Sequence, residues 1–219
     1  MNAYLRYRRF TLGDFLTECY LVFRDREALL IDSPVPAPDI DNFLVENGLN
    51  LIFIVNTHGH IDHIGGNRYF KEQYPGAKLL IHEREVRYLL DPSLNLSSKI
   101  YHPFVSPESD QALAGEAGRF LFGGVPVDYL HTPGHTPGSM CLYFPDLLWL
   151  FSGDTLFAGS VGRTDLPGGS FQALTASLKK MCSHFPGEAT VLPGHGPMST
   201  LQEEISSNPY LIELVGKKV

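Results

Sequence analysis

The sequence predicts an α/β (α+β) fold in which sheet packs on sheet and helices lie outside. Three observations lead to it. Apolar stretches of strand length come in runs, helical spacing appears between some of them, and 16 prolines and 21 glycines are spread along the chain as turn punctuation, not gathered into a linker. At 219 residues and 43% apolar composition the chain can bury one good core, so a single domain over residues 1–219 is expected.

Three short strands open the chain, "AYLRYRRF", "CYLVF" and "EALLID", the last two joined by the charged turn "RDRE". The prolines of "SPVPAP" end that run. A helix follows in "DIDNFLVENG", with apolar positions 40, 43 and 44 and Gly48 at its C-terminal end. "LIFIV" reads as a strand buried on both faces, residues 63–74 as a helix closed by "PG", "KLLIH" as a strand and "EREVRYLL" as a helix. Residues 91–118 contain Pro92, Pro103 and Pro107 and little periodicity, so a long loop serving as a lid or covering flap is expected there. Strands return as "VDYL", "MCLYF" and "LLWLF". "SFQALTASLKKMCSHF" spaces apolar residues at 171, 174, 178 and 181 as a helix does, "ATVL" gives a last strand, and two short helical pieces close the chain.

Position makes the candidate ligands stand out. "LIFIV" runs into "NTHGHIDH", "VDYL" into "HTPGH", "LLWLF" into "SGDT" and "ATVL" into "PGHG". Four apolar strands thus each deliver histidine or aspartate at their C-terminal end, the rim where α/β sheets form their ligand crevices. If residues 58–62 are extended, His58, His60 and Asp62 share one side. Adding His63, His135, Asp154 and His195 gives seven candidates, whereas a catalytic zinc takes about three protein ligands and a water. Two ions sharing one carboxylate would use them all. Asp154 is the bridging candidate, because a carboxylate offers two oxygens and an imidazole one lone pair. Gly59 is expected to turn the loop between ligands, and Gly65 and Gly66 to let a helix approach it closely.

His82, His102, His131 and His184 lack that support and read as ordinary polar residues. His131 and Thr132, close to His135, are placed to tune a ligand by hydrogen bonding. Arg163 and Asp165, in "GSVGRTDLPGG", read either as an ion pair holding a loop or as substrate contacts.

Composition narrows the partners. Seventeen basic against twenty-four acidic residues give a formal charge of −7 with no basic stripe, which disfavours nucleic acid. The longest apolar runs are strand length, so no membrane span is expected. The basic start "MNAYLRYRRF" has no apolar core of a signal peptide, which makes the cytoplasm the expected compartment. Cys19, Cys141 and Cys182 lie far apart without a CxxC pair and read as reduced thiols.

The run "THGHIDH", followed by "HTPGHT", "SGDTLF" and "PGHG", resembles the metallo-β-lactamase superfamily in motif, order and spacing across nearly the whole chain. The resemblance implies a four-layer αββα sandwich with two divalent metal ions at one edge, zinc first and iron or manganese as alternatives. It assigns His58, His60 and His135 to one ion and Asp62, His63 and His195 to the other, with Asp154 between. Within the superfamily the chain is most similar to glyoxalase II, the hydroxyacylglutathione hydrolases, and especially to their short bacterial forms. That likeness implies a thioesterase that cleaves S-lactoylglutathione to glutathione and a 2-hydroxy acid. Asp62 would orient the attacking water, and Arg163, with Asp165 beside it, would contact the substrate. True β-lactamases of this fold carry Cys or Ser where Asp154 stands, so the chain resembles them less. "GRTD" resembles persulfide dioxygenases and implies the alternative of one iron held by His58, His135 and Asp154, acting on glutathione persulfide. A hydrolase of another ester, thioester or lactone is the remaining option, and monomer and homodimer both stay open.

Overall fold

The computed structural model describes residues 4–100 and 102–215. Ala3 of the first expected strand, Tyr101 within the 91–118 segment and the closing residues 216–219 lie outside the described residues. The chain divides into two compact units, Met1–Leu113 with Phe122–Val125, and Ala114–Leu121 with Pro126–Val219. No helix among the described residues is long and apolar enough to cross a membrane.

The first unit begins with β1 (Arg6–Leu12), β2 (Thr17–Arg24) and β3 (Glu27–Ile31), which pair antiparallel through two tight turns. After α1 (Pro38–Glu46) comes β4 (Asn50–Val55), parallel to β3. Gly48, at φ +60°, lets Leu49 N–H return to Leu44 O at 2.8 Å, so the glycine expected at the helix end closes α1 as a left-handed cap. Next are α2 (Ile61–Ile64), α3 (Asn67–Gln73), β5 (Lys78–His82), α4 (Val86–Leu90), α5 (Ser97–Ile100) and β6 (Gln111–Leu113). The sheet order is β1-β2-β3-β4-β5-β6, parallel from β3 onward. Alternate residues Cys19, Leu21 and Phe23 of β2 and Leu79 and Ile81 of β5 pack with Ile40 and Leu44 of α1 and Phe70 of α3. Their neighbours Tyr20, Val22 and Leu80 are buried too. Period-two burial on both faces is why β2 reads as an unbroken apolar run.

Three expectations need correction here. The helix expected over 63–74 is interrupted at Gly65–Gly66, where Gly66 N–H donates to Ser33 O at 2.7 Å, while the close approach expected of these glycines is present, since Cβ atoms there would stand 2.4 Å from Pro34 O and 2.5 Å from Val35 O. "LIFIV" is not buried throughout, since Ile52 and Phe53 are half-buried. Residues 91–118 hold α5, β6 and the start of another strand, and much of the stretch is fixed by short polar side chains. Buried Asn95 donates from Nδ2 to Tyr88 O and Phe104 O, both at 3.0 Å, and Asn67 Nδ2 donates to Ser106 Oγ at 3.0 Å. Asn and Ser leave no hydrophobic period, so the order was invisible to pattern reading.

The second unit contains β7 (Ala117–Phe122), β8 (Val125–His131), β9 (Met140–Phe144), β10 (Trp149–Gly153), the small hairpin β11 (Leu156–Phe157) and β12 (Ser160–Val161), then α6 (Phe171–His184), β13 (Thr190–Pro193), β14 (Ser199–Thr200), α7 (Leu201–Ser207) and α8 (Pro209–Val215). The tips of β7 and β8 fall in the first unit. Its sheet order is β14-β13-β10-β9-β8-β7, with β10 and β13 parallel. Leu174, Leu178 and Met181 of α6 pack on Leu130, Cys141, Leu150 and Val191, as the helical spacing predicts, whereas Phe171 at the helix start is exposed. Thr200 caps α7 in a capping box with Glu203.

Lys180 of α6 donates from Nζ to Glu116 Oε2 at 2.8 Å and to His131 O at 2.6 Å. Its hydrogen bond first, and that of His131 second, pull the Glu116 carboxyl down to about 2 from an ordinary 4.5. A depressed carboxyl stabilises the fold above its unfolded value and stops doing so as pH falls through the folded one. Glu116→Gln should therefore lower the thermal midpoint at pH 7, by a margin that shrinks as pH drops from 4.5 toward 2. Salt should shrink it too, since the Glu116 side chain is 69% exposed. Calorimetry across that pH range tests this, and an undiminished margin at the acid end would contradict it.

Candidate metal centre

In the first unit, four of the expected ligands come together where β4 ends. The polypeptide leaves the strand at Asn56, whose N–H bonds Leu80 O at 2.9 Å, and His60 then caps α2, accepting from His63 N at 2.9 Å and Ile64 N at 3.1 Å. That single turn places His63 back over His58, with ring centroids 4.1 Å apart, while the His58 and His60 rings stand 4.9 Å apart at right angles. All three histidines are at most 3% exposed, and the Asp62 side chain is 20% exposed.

Buried Asp32 organises this turn. Its Oδ1 accepts from Thr57 N–H and its Oδ2 from Thr57 Oγ1 and His63 Nδ1, each at 2.8 Å. Holding Nδ1–H on Asp32 leaves Nε2 of His63 with its lone pair, 3.8 Å from Asp62 Oδ2. Thr57 has spent its hydroxyl proton on Asp32, so its 3.2 Å contact with His58 Nδ1 makes that nitrogen the donor and leaves Nε2 as the acceptor in His58 as well. Gly59 donates its N–H to Glu85 Oε2 at 2.8 Å. A Cβ at Gly59 would lie 2.3 Å from Tyr88 Cβ, so close approach, not the expected turn, is what requires glycine there.

In the second unit, His135, Asp154 and His195 come together. His135 donates from Nδ1 to Arg163 O at 2.8 Å, which turns its Nε2 to within 3.6 Å of Asp154 Oδ2. His195 Nε2 lies 3.5 Å from the same oxygen. Thr132 Oγ1 and Thr155 Oγ1 share a 2.9 Å hydrogen bond that ties the His135 loop to the Asp154 loop. Gly162 backs both: a Cβ there would fall 1.8 Å from Asp154 O and 3.2 Å from His135 Cβ. His131, expected to tune a ligand directly, instead donates from Nε2 to Pro137 O at 2.9 Å and braces the loop from behind.

These donor sets suit a cation. Two ligand atoms each ~2.1 Å from one ion at a tetrahedral angle stand about 3.4 Å apart. The spacings of 3.5, 3.6 and 3.8 Å between imidazole nitrogens and carboxylate oxygens are near that value and long for direct hydrogen bonds. Arg163 and Asp165 fall elsewhere in character. They form an exposed bidentate pair, both contacts 2.7 Å, and the guanidinium holds the Asp165 carboxyl at about 2.

Residues 12–197 match the metallo-β-lactamase superfamily. The chain belongs to that superfamily. Its fold class is the one expected, an α/β metallo-β-lactamase fold with two sheets, and the protein is accordingly a metal-dependent hydrolase by family, with His/Asp clusters suited to divalent ions. Among curated relatives, the probable metallo-hydrolase YqgX of Bacillus subtilis is 33% identical over 94% of this chain and 98% of its own length. The hydroxyacylglutathione hydrolase GloC of Haemophilus influenzae is 29% identical over 90% of this chain and 93% of its own. Among solved structures, the B3 metallo-β-lactamase BLEG-1 superposes with a TM-score of 0.89 at 34% identity, covering 94% of this chain and 99% of that one. TTHA1623 in a di-iron-bound form gives a TM-score of 0.83 at 36% identity, covering 93% and 100%.

Asp32 escaped the sequence reading although "EALLID" ends in it, because its partners lie 25 and 31 positions further on. A sign was present: it is an aspartate directly after an apolar strand, as Asp154 is among the candidate ligands. Asp32→Ala should release the His63 ring and weaken zinc binding by about 10- to 100-fold in a chelator competition, the usual cost of removing a residue that orients a ligand. Unchanged affinity would show that Asp32 serves folding alone.

Proposed function

We propose that the protein is a dinuclear metal-dependent thioesterase, one metallo-β-lactamase-like domain over residues 1–219, that hydrolyses S-(2-hydroxyacyl)glutathione such as lactoylglutathione to glutathione and a 2-hydroxy acid. The proposed ligand groups are His58, His60 and His135 for one ion and Asp62, His63 and His195 for the other, with Asp154 serving both. The observation that carries it is the Asp154 carboxylate with two histidine Nε2 atoms at 3.5 and 3.6 Å from one of its oxygens. The likeness to GloC supports the substrate class, and the di-iron form of TTHA1623 supports two ions. Zinc is the first choice of metal, with iron or manganese as alternatives.

Bound divalent ions supply Lewis acidity, polarising an acyl carbonyl and lowering the pKa of water toward 7. The chain does the rest. Asp32, Thr57 and Arg163 O fix three ring tautomers before substrate arrives, so little reorganisation is left for the reaction. Asp62, partly exposed beside His63, orients the attacking water as its oxygen adds to the acyl carbon. The C–S bond then breaks, and the sulfur leaves as a thiolate of pKa about 8.5 that needs no strong general acid. Arg163 is the proposed contact for a glutathione carboxylate, exchanging its exposed partner Asp165 at small cost.

The BLEG-1 likeness favours a second reading, β-lactam hydrolysis by the same residues. An amine leaving group, unlike a thiolate, needs a proton on departure. Metal analysis should find about two ions per chain; one iron would favour a dioxygenase instead. Asp154→Ala should lower that metal content and nearly abolish free-thiol release from lactoylglutathione. Retention of both ions and of turnover refutes the bridging role, and faster turnover of nitrocefin than of the thioester would favour the lactamase. Arg163→Ala should raise KM several-fold for the glutathione thioester with little change in kcat; an unchanged KM removes Arg163 from the binding surface.

A further inference from the structure

The turn that carries His58 and His60 is held from a second side, inside the first unit. β5 runs parallel to β4 with Val55 opposite Leu80, so the two strands end side by side. Just beyond β5, Arg84 N–H donates to Nδ1 of buried His82 at 3.3 Å and closes a single 3-10 turn, Glu83–Glu85. That turn delivers Glu85 to the segment leaving β4.

Glu85 is fully buried, and a glutamate is almost never so unless its carboxylate is engaged. Its Oε2 accepts at 2.8 Å from the N–H of Gly59, the residue between His58 and His60. Glycine leaves room for that bond, because a Cβ at position 59 would stand 3.0 Å from the same oxygen as well as 2.3 Å from Tyr88 Cβ. On the other side of His60, Ile61 N–H donates to Asn95 O at 2.9 Å, and Asn95 Nδ2 donates to Tyr88 O at 3.0 Å. Both residues flanking His60 are thus anchored to the stretch from Glu85 to Asn95. Asp32 and Thr57 hold the rings of His63 and His58 through other bonds, and the two sets have no residue in common.

We propose that Glu85 is a positioning residue for one of the two ions, the one assigned to His58, His60 and His135. By fixing the Gly59 amide it sets the separation of His58 and His60, and it acts through the reach of its oxygen and not through its charge. The inference rests on the dinuclear reading of the site. Charge acts over distance and would bias both ions, whereas a hydrogen bond acts on the one peptide it touches. The ion assigned to Asp62, His63 and His195 therefore lies outside the influence of Glu85.

Two conservative variants separate reach from charge. Glu85→Gln keeps the length and an accepting oxygen but loses the charge. Glu85→Asp keeps the charge, but its carboxylate stands about 1.5 Å further back, out of hydrogen-bonding range of Gly59. In chelator competition with zinc, the wild type and Glu85→Gln should each bind two ions with similar affinities. Glu85→Asp should weaken one ion by about 10- to 100-fold and leave the other unchanged. Nitrogen–proton spectra of the imidazole rings identify which: with zinc enough for the tighter site alone, His63 and His195 of Glu85→Asp should show zinc-bound nitrogens, and His58 and His60 should not. The reverse ranking, with Glu85→Gln weak and Glu85→Asp intact, overturns the proposal. So does equal weakening of both ions in Glu85→Asp, or no weakening of either.

A measurement on the wild type holds even where Glu85→Asp does not fold. In the metal-free protein the Gly59 amide should already be protected from hydrogen exchange, and zinc should change that protection little. An amide protected only after loading would mean that the ion, not Glu85, orders the turn, and would also overturn the proposal. Should the wild type take up fewer than two zinc ions, the dinuclear reading fails, while the hold of Glu85 on the turn stands or falls by the Gly59 amide.

Discussion

The buried carboxylate of Asp32 is the constraint on which the first unit's histidine cluster depends. Three donors converge on it at 2.8 Å: one backbone amide, one hydroxyl and one imidazole. The backbone of Asp32 itself is left-handed, at φ +57°, a conformation an aspartate tolerates better than most residues. A negative charge buried to 1% exposure survives only with this many hydrogen bonds. In return it sets the Thr57 backbone, the Thr57 hydroxyl and the His63 ring at once, and through Thr57 it reaches His58. One side chain thereby determines which nitrogen of two histidines faces outward.

The second unit reaches the same result with different groups. A main-chain carbonyl, Arg163 O, replaces the carboxylate as the acceptor for Nδ1 of His135, and a pair of threonine hydroxyls joins the two loops. Behind them Ser177 Oγ donates to Pro133 O at 2.7 Å and the Gly134 φ of +144° lets the loop pass against Leu174, where a Cβ would come within 2.4 Å of Leu174 Cα. The helix α6 is thus a platform for the histidine loop as well as a cover for the apolar face of its sheet. His58, His63 and His135 obey one rule: the nitrogen that does not face the candidate ion is spent on a fixed acceptor, so the ring cannot rotate away.

Much of this was legible in the sequence, and the limits have a physical pattern. Elements held by hydrophobic burial announced themselves: β2, β5 and the α6 face of Leu174, Leu178 and Met181 follow periods of two or near four. The candidate ligands were legible because polar residues at the ends of four apolar strands violate the expected pattern. What stayed hidden was held by contacts between residues far apart in order, where no local period exists. Asn95 and Ser106 order the 91–118 stretch through amide and hydroxyl bonds, and Glu85 reaches Gly59 across 26 positions. Gly59 shows the same limit from the other side: its need for a missing Cβ arises from Tyr88, and nothing in "HGHID" reveals it.

Arg163 joins these two classes. From sequence it is a charged side chain in a glycine-rich loop, and attention goes to its guanidinium. In the fold that guanidinium is paired with Asp165 in solvent, where an ion pair contributes little, while the residue's carbonyl oxygen fixes the ring of His135. Backbone groups cannot be read from residue type, because every residue has them. The two roles are therefore separable: a side-chain substitution leaves the carbonyl in place, whereas a change that moves the loop, such as a Cβ on Gly162 pressing into Asp154 O, displaces Asp154 and the His135 ring together. The geometry around His135 depends on where the chain runs at Arg163, and only secondarily on what that residue carries.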